Sequence, residues 1–180
     1  MKKVSDILAI KIIFFITACY VGLWVLRIPT IKDQLQTDYI GVGYIMLSFA
    51  LGSIFAMTFA NAFILKTSTK SIITFTLIAE GCLWLPVPFI QELWIFIIFS
   101  FIFGMSYGVF EIACNVYASN LEVREKKSMM SGFHGFWSLG VLFGSLITSL
   151  LLELNYSFIF NILLYVFILL PISLYFVLCL

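Results

Sequence analysis

The sequence predicts an all-α integral membrane protein with six transmembrane helices. Hydrophobic residues make up 63% of the 180 residues, whereas soluble domains contain roughly 45–50%. Charged residues make up only 11%, and they separate apolar runs of about 20 residues, the length that a helix needs to cross a bilayer. The runs are continuous rather than alternating, which favours helices over transmembrane strands. This composition excludes a soluble enzyme, a nucleic-acid-binding protein and a disordered chain.

The borders of the six helices follow from prolines and polar clusters. Pro29 is predicted to end the first helix because proline lacks a backbone donor, and Pro86 and Pro88 mark a turn after the third. Residues 119–130 form a long polar stretch and are predicted to be a cytoplasmic loop, and Asn155 marks a tight turn before the sixth helix. The apolar runs are residues 7–26, 41–65, 71–89, 93–118, 131–152 and 157–180.

The distribution of basic residues predicts the orientation. With the N-terminus inside, eight of the ten lysines and arginines lie on the cytoplasmic side, and only Arg27 and Lys32 lie outside. The positive-inside rule therefore places both termini in the cytoplasm, with the chain in the inner membrane. The eight are Lys2, Lys3, Lys11, Lys66, Lys70, Arg124, Lys126 and Lys127.

Cysteine and histidine usage predicts neither a metal nor a cofactor. The cysteines lie within apolar runs and form no Cys-x-x-Cys pair, so neither a zinc site nor a disulfide framework is expected. The single histidine, His134, has no carboxylate or cysteine at ligand spacing beside it. The four cysteines are Cys19, Cys82, Cys114 and Cys179.

Small residues recur at the same offsets in the second and fifth runs. The match predicts two three-helix repeats, about 7–90 and about 91–180, within one six-helix bundle. Because three is odd, the repeats must have opposite orientations in the membrane, as is common in secondary transporters. Close helix packing through small residues alone would also give the pattern. The matched residues are Gly43, Ser48, Gly52, Ser53 and Ile54 in the second run and Gly135, Gly140, Gly144, Ser145 and Leu146 in the fifth.

Ionisable groups inside membrane spans are candidate functional residues, because each costs about 2.5–3.5 kcal/mol on insertion scales. Three are counted, namely Glu80, Glu111 and His134, because Lys11 lies close enough to a helix end to snorkel to the interface. Glu111 shares one face of its helix with Asn115 and two glycines, Gly104 and Gly108. A buried glutamic acid can gain or lose a proton near neutral pH, and an amide can both donate to and accept from a sugar hydroxyl. The alternative is an interhelical hydrogen bond that only holds the bundle together.

The fifth helix repeats this pattern. His134 and Ser138 are predicted to share a stripe with Ser145 and Thr148, and Trp137 lies beside it, where an indole could stack on a sugar ring. A structural His134 near the interface and a packing Trp137 are the alternatives. Glu80 has no polar neighbour on its helix face. A carboxyl that is protonated, or that snorkels to the interface, therefore explains its presence in the span as well as a functional role does.

Three segments resemble the N-terminal half of a major facilitator superfamily transporter, most closely its fucose-permease-like branch of sugar:proton symporters. They are F-F-I-T-A-C-Y-V-G-L-W-V-L-R-I-P (14–29), Y-G-V-F-E-I-A-C-N-V-Y (107–117) and S-G-F-H-G-F-W-S-L-G (131–140). The resemblance covers essentially the whole chain. It implies that Glu111 is protonatable, that Asn115 contacts sugar and that His134 occupies a position that is often polar.

Two positions depart from this resemblance. The acidic residue late in the first helix of the symporters is Val25 here, and the loop at 61–70 keeps Lys66 and Lys70 but no aspartate. The family uses two six-helix halves, so a second half or a homodimer is the expected partner. The sequence thus predicts a secondary transporter, or its N-terminal half, for a small polar solute such as a sugar, coupled to protons through Glu111. The alternative is a truncated or non-transporting membrane protein with a structural or assembly role.

Overall fold

The structure is a computed structural model that describes residues 5–64 and 67–180, with side chains described outside 61–66. It confirms the six predicted helices, each long and apolar enough to cross a membrane. The described residues contain no strand. The chain is therefore an all-α integral membrane protein. Its helices are α1 (Asp6–Gln34), α2 (Tyr39–Ile64), α3 (Thr69–Trp84), α4 (Leu93–Glu125), α5 (Met130–Glu153) and α6 (Phe158–Cys179), with a single 3₁₀ turn at Val87–Phe89.

Pro29 does not end the first helix, and that prediction was wrong. Helix α1 continues through Pro29 to Gln34, because membrane helices tolerate proline where neighbouring groups satisfy the freed carbonyl. The helix ends just before Gln36, whose φ of 47° is the left-handed conformation typical of a helix C-terminus. Arg27, which was expected outside the membrane helices, consequently lies inside α1 and is only 3% exposed.

Helix α4 is longer than the fourth apolar run. Its 33 residues make it about 50 Å long at 1.5 Å per residue, whereas the hydrocarbon core is about 30 Å thick. The predicted loop at 119–130 is thus helical as far as Glu125. Because the polar residues collect at this end of α4, its last turns lie beyond the bilayer.

The helices pack into two compact units. One contains the residues up to Leu26 together with Cys114–Leu180, and the other contains Arg27–Ala113. The first unit thus combines the main part of α1 with α5 and α6, and the second combines the main part of α4 with α2 and α3. The first unit contains one helix of the first predicted repeat and two helices of the second. The second unit contains two helices of the first repeat and one of the second. The repeat boundaries themselves stay a prediction.

Glycines allow close backbone contact inside each unit. A Cβ at Gly52 of α2 would clash with the carbonyl oxygen of Phe101 in α4. A Cβ at Gly144 of α5 would clash with the carbonyl oxygen of Cys19 in α1. Gly52 and Gly144 are at matching offsets in the two predicted repeats, and both serve the close helix packing that was the second explanation of the pattern.

The two ends of the described chain meet at one end of the first unit. Asp6, at the start of α1, forms a 2.9 Å ion pair with Arg124, and the Tyr117 hydroxyl donates to the carbonyl oxygen of Leu180 over 3.5 Å. An even number of membrane crossings requires both ends of the chain to lie on the same side of the membrane, and these contacts agree with that. The cytoplasmic assignment of that end stays a prediction. The basic-residue count and the loop comparison rest partly on Lys2, Lys3 and the side chains of 61–66, which lie outside the described residues.

Candidate functional site

Helix α4 places Glu111 and Asn115 one turn apart on one face, as the sequence predicts. Both side chains are half-buried. The Asn115 Oδ1 atom is shielded from solvent and accepts no hydrogen bond from the described protein. A buried amide oxygen without a partner is costly, so this position suits a hydrogen bond that a bound molecule or water completes.

The glycines on the same face of α4 contact a helix rather than an open space. A Cβ at Gly104 would clash with the carbonyl oxygen of Phe49, and one at Gly108 would lie 2.6 Å from the carbonyl oxygen of Ser53. Both contacts are to α2, within the Arg27–Ala113 unit. The glycines therefore bring α2 and α4 together.

Helix α5 presents a polar surface at its N-terminal part. His134 and Ser138 are exposed and Trp137 is half-buried. The Ser138 hydroxyl donates to the carbonyl oxygen of His134 over 3.1 Å, which leaves its lone pairs available as acceptors. The His134 ring meets the ring of Phe14 edge-on, with centroids 5.7 Å apart, so α1 orients the imidazole while leaving it exposed.

Thr148 shares the helical stripe of His134 and Ser138 but is not part of this exposed surface. Its side chain is fully buried, and its hydroxyl lies 3.0 Å from the hydroxyl of Tyr165 in α6. Tyr165 also donates to the carbonyl oxygen of Gly144 over 2.6 Å, while Tyr20 of α1 donates to the carbonyl oxygen of Tyr165 over 3.1 Å. This cluster joins α1, α5 and α6. A tyrosine in the middle of an apolar run was the available sequence signal for it.

Glu80 lies deep within the Arg27–Ala113 unit. Its side chain is 5% exposed, which excludes a snorkelling carboxyl, because snorkelling would carry the charged group to the interface. The prediction that its helix face carries no other polar residue was wrong, because Thr76 lies one turn earlier and is also buried. The Thr76 hydroxyl nevertheless donates to the carbonyl oxygen of Ile72 over 2.8 Å.

Glu122 joins the end of α4 to the start of α5 beyond the bilayer, a role that sequence reasoning missed. Its Oε1 atom accepts hydrogen bonds from the backbone N–H groups of Met129 and Met130, the latter over 2.7 Å. These bonds favour the ionised carboxylate and hold the pKa of Glu122 below its usual range. The carboxylate thus caps the N-terminus of α5, where a negative charge is favoured.

Among the residues that the structure describes, no three His, Cys, Asp or Glu side chains come close enough together to hold a metal ion. The polar groups of α4 and α5 are instead a carboxyl, an amide, an imidazole and a hydroxyl. Such groups form and exchange hydrogen bonds. Each of these groups can therefore form hydrogen bonds with a polar molecule.

Comparison with known proteins gives one family. The sequence model of the Major Facilitator Superfamily matches residues 11–179. An uncharacterized MFS-type transporter of Yersinia pestis is 26% identical over 145 residues, which are 79% of this chain and 37% of that protein. An uncharacterized transporter of Sinorhizobium fredii is 24% identical over 141 residues, which are 73% of this chain and 35% of that protein. The matched part spans about a third of these curated relatives. No solved structure matches the chain.

Proposed function

This chain belongs to the Major Facilitator Superfamily, and we propose that it acts as the N-terminal half of a proton-coupled secondary transporter for a small polar solute such as a sugar. The inner membrane is its proposed location, with both termini in the cytoplasm. The family membership and the two transporter relatives support transport as the activity. The solute, the coupling ion and the orientation are parts of the proposal.

The unpartnered amide oxygen of Asn115 is the observation that carries the proposed solute site. The structure provides this oxygen with no donor, and a sugar hydroxyl is a donor of the right kind. Binding would then replace an unsatisfied polar atom by a hydrogen bond, which favours a ligand with hydroxyls over an apolar one.

Glu111 is the proposed proton-coupling residue. It lies one turn before Asn115 on α4 and is half-buried, so a change in its protonation would act directly beside the bound solute. The symporters that this sequence resembles have a further acidic residue late in the first helix, where this chain has Val25. Glu111 is therefore proposed to couple solute to protons without that second carboxyl.

The exposed side chains of α5 are proposed to line the solute path. An imidazole and a hydroxyl facing hydrocarbon would be unfavourable, so the surface with His134 and Ser138 fits contact with water, with solute or with another protein better than contact with lipid. Trp137 offers an indole face beside them for stacking on a sugar ring.

A second six-helix half is the proposed partner. The matched part spans about a third of its two relatives, and the polar surface of α5 is exposed in the structure. A partner that covers this surface would enclose a polar path between two halves. A homodimer is the alternative arrangement, and crosslinking of the chain in its native membrane distinguishes the two.

Uptake by membrane vesicles tests the proposal. Vesicles from cells that express the chain should accumulate a radiolabelled hexose under an inward proton gradient, above vesicles that lack the chain. Glu111→Gln should abolish this accumulation, whereas Glu92→Gln, the same change at an exposed carboxyl, should leave it intact. Unchanged uptake in Glu111→Gln would remove the assigned role. Absence of both uptake and hexose binding in a folded chain would favour the non-transporting alternative.

A further inference from the structure

A second carboxyl, besides Glu111, lies inside a membrane helix. Glu80 of α3 is 5% exposed, and its Oε1 atom accepts no hydrogen bond from the described protein. Glu80 takes part in none of the ion pairs Lys32–Asp33, Arg124–Asp6 and Arg124–Glu125.

We propose that Glu80 is an intramembrane proton-binding site, a carboxylic acid that holds its proton in this conformation and releases it when α3 repacks. An ionised carboxylate needs several hydrogen bonds or a paired cation when it leaves water, and an unpaired buried charge takes up a proton instead. A neutral acid with one unpartnered oxygen is far less costly. The burial and the missing partner therefore both favour the protonated form.

The residues around Glu80 on its own helix do not stabilise an anion. Thr76 is occupied with the backbone, donating to the carbonyl oxygens of Ile72 and Ile73 over 2.8 and 3.2 Å. Leu77 and Trp84, which flank Glu80 on the same face, are buried as well and offer no charge. On α3, the carboxyl of Glu80 therefore has uncharged neighbours and one hydroxyl that already donates to the backbone.

The other helices of the unit bring two charged groups within the membrane spans. Helix α1 contributes Arg27, which is 3% exposed, and α4 contributes the half-buried Glu111. Helix α2 has no charged residue over residues 39–60. Since the Oε1 atom of Glu80 accepts no hydrogen bond from the described protein and its carboxyl takes part in none of the three ion pairs named above, an anion at Glu80 would need a different arrangement of these helices.

A cavity beside α3 makes such a rearrangement feasible. The cavity has a volume of about 920 Å³ and lies between α2, α3 and α4. Thr76, Ala79 and Leu83, at positions −4, −1 and +3 from Glu80, are among its lining residues. On the side of α3 that borders this open groove, few contacts with other helices are lost when α3 shifts.

The proton step itself is simple. When α3 moves and water reaches the carboxyl, the O–H bond of Glu80 breaks, the electron pair stays on the carboxylate and the proton passes to water. Return of α3 to this conformation requires the reverse step. In the transport cycle, an assignment that rests on the proposed function, Glu80 would be a proton carrier additional to Glu111. The protonation itself does not depend on transport.

Difference infrared spectroscopy of the full chain in lipid tests the protonation. The carbonyl stretch of a protonated carboxylic acid should be present at neutral pH and should lose intensity in Glu80→Gln, while Glu92→Gln, which alters an exposed carboxyl, should retain its full intensity. A spectrum of Glu80→Gln that keeps the whole band, or a wild-type spectrum that has no such band, would overturn the proposal. The infrared measurement does not depend on transport. The proposed protonation of Glu80 can therefore fail while the proposed transport function is supported by uptake, and the transport function can fail while the protonation is supported.

Carbodiimide labelling provides an independent measurement. Dicyclohexylcarbodiimide is apolar and adds to protonated carboxyls, forming an N-acylurea that is found by mass spectrometry of the digested protein. Glu80 should be modified at neutral pH and Glu92 should not. Ala79→Phe, which puts a ring into the cavity, should slow the labelling of Glu80 without removing its infrared band. Labelling of Glu92 in preference to Glu80 would contradict the proposal.

Discussion

Arg124, in the last turn of α4, forms a 2.9 Å ion pair with Asp6 in the first turn of α1. Each charge lies where the helix dipole favours it, with the anion at an N-terminus and the cation at a C-terminus. The pair holds the start of α1 against the end of α4 within one unit. The arginine side chain is 57% exposed, so solvent weakens the attraction.

The ion pair should therefore contribute little to stability. Asp6→Asn, Arg124→Gln and the double variant should give only a small coupling free energy, as is usual for exposed pairs. Thermal unfolding in detergent at low and high salt measures it, and the coupling should shrink with salt. A large coupling free energy that salt does not change would show that the pair is buried in the protein's working state.

The cap that Glu122 places on α5 should make stability depend on pH. The pKa of this carboxyl is lowered in the folded protein, so its stabilising effect is present above the ordinary pKa of glutamate and is lost as pH falls through the lowered value. Glu122→Gln should therefore unfold at a lower temperature than wild type at pH 7, with the difference vanishing in acid. Glu153→Gln, at an exposed position, should behave as wild type throughout. An equal loss at every pH would contradict the cap.

Substitution by alanine should have opposite effects on stability at two glycines of α5. A Cβ at Gly144 would clash with the backbone of Cys19, whereas one at Gly135 would meet nothing within 4 Å. Gly144→Ala should destabilise the fold by about 1–3 kcal/mol through overpacking. Gly135→Ala should be neutral or slightly stabilising, because alanine favours a helix by roughly 0.5–1 kcal/mol. Equal melting temperatures for the two variants would rule out the α1–α5 contact.

The Tyr165 hydroxyl should stabilise the contact of α6 with α5. It bonds the carbonyl oxygen of Gly144 and meets the hydroxyl of Thr148, and buried hydrogen bonds contribute about 1 kcal/mol each. Tyr165→Phe should lower the free energy of unfolding by about 1–2 kcal/mol. Tyr175→Phe, the same change on a side chain that is 51% exposed, is the matched control and should have no measurable effect. If both variants unfold alike, the cluster is not structural.

Run length and charge placement were enough to predict the helices, because the thickness of the bilayer imposes a minimum span on every one of them. They could not place the helix ends. Pro29 was misread because the rule that proline stops a helix is weaker where neighbouring helices satisfy the backbone. The extension of α4 to Glu125 was missed because the residues beyond the apolar run are polar yet still good helix formers.

The candidate site was partly accessible from helix periodicity. Glu111 and Asn115 were placed on one face because a single helix decides their relation. The burial of Thr148 was not predicted, because it depends on Tyr165, a residue of another helix. The missing partner of Asn115 Oδ1 and the burial of Glu80 are likewise properties of tertiary packing, which no pattern within one helix contains.

The proposed solute site is tested most directly by the affinity for solute of a variant at Asn115. Hexose uptake by vesicles should show a KM about 3- to 10-fold higher in Asn115→Ala, the loss expected for one neutral hydrogen bond of about 1 kcal/mol. Asn120→Ala, the same substitution at an exposed position on the same helix, should leave the KM unchanged. If Asn115→Ala transports hexose with the wild-type KM, Asn115 does not contact the solute and the proposed site is wrong.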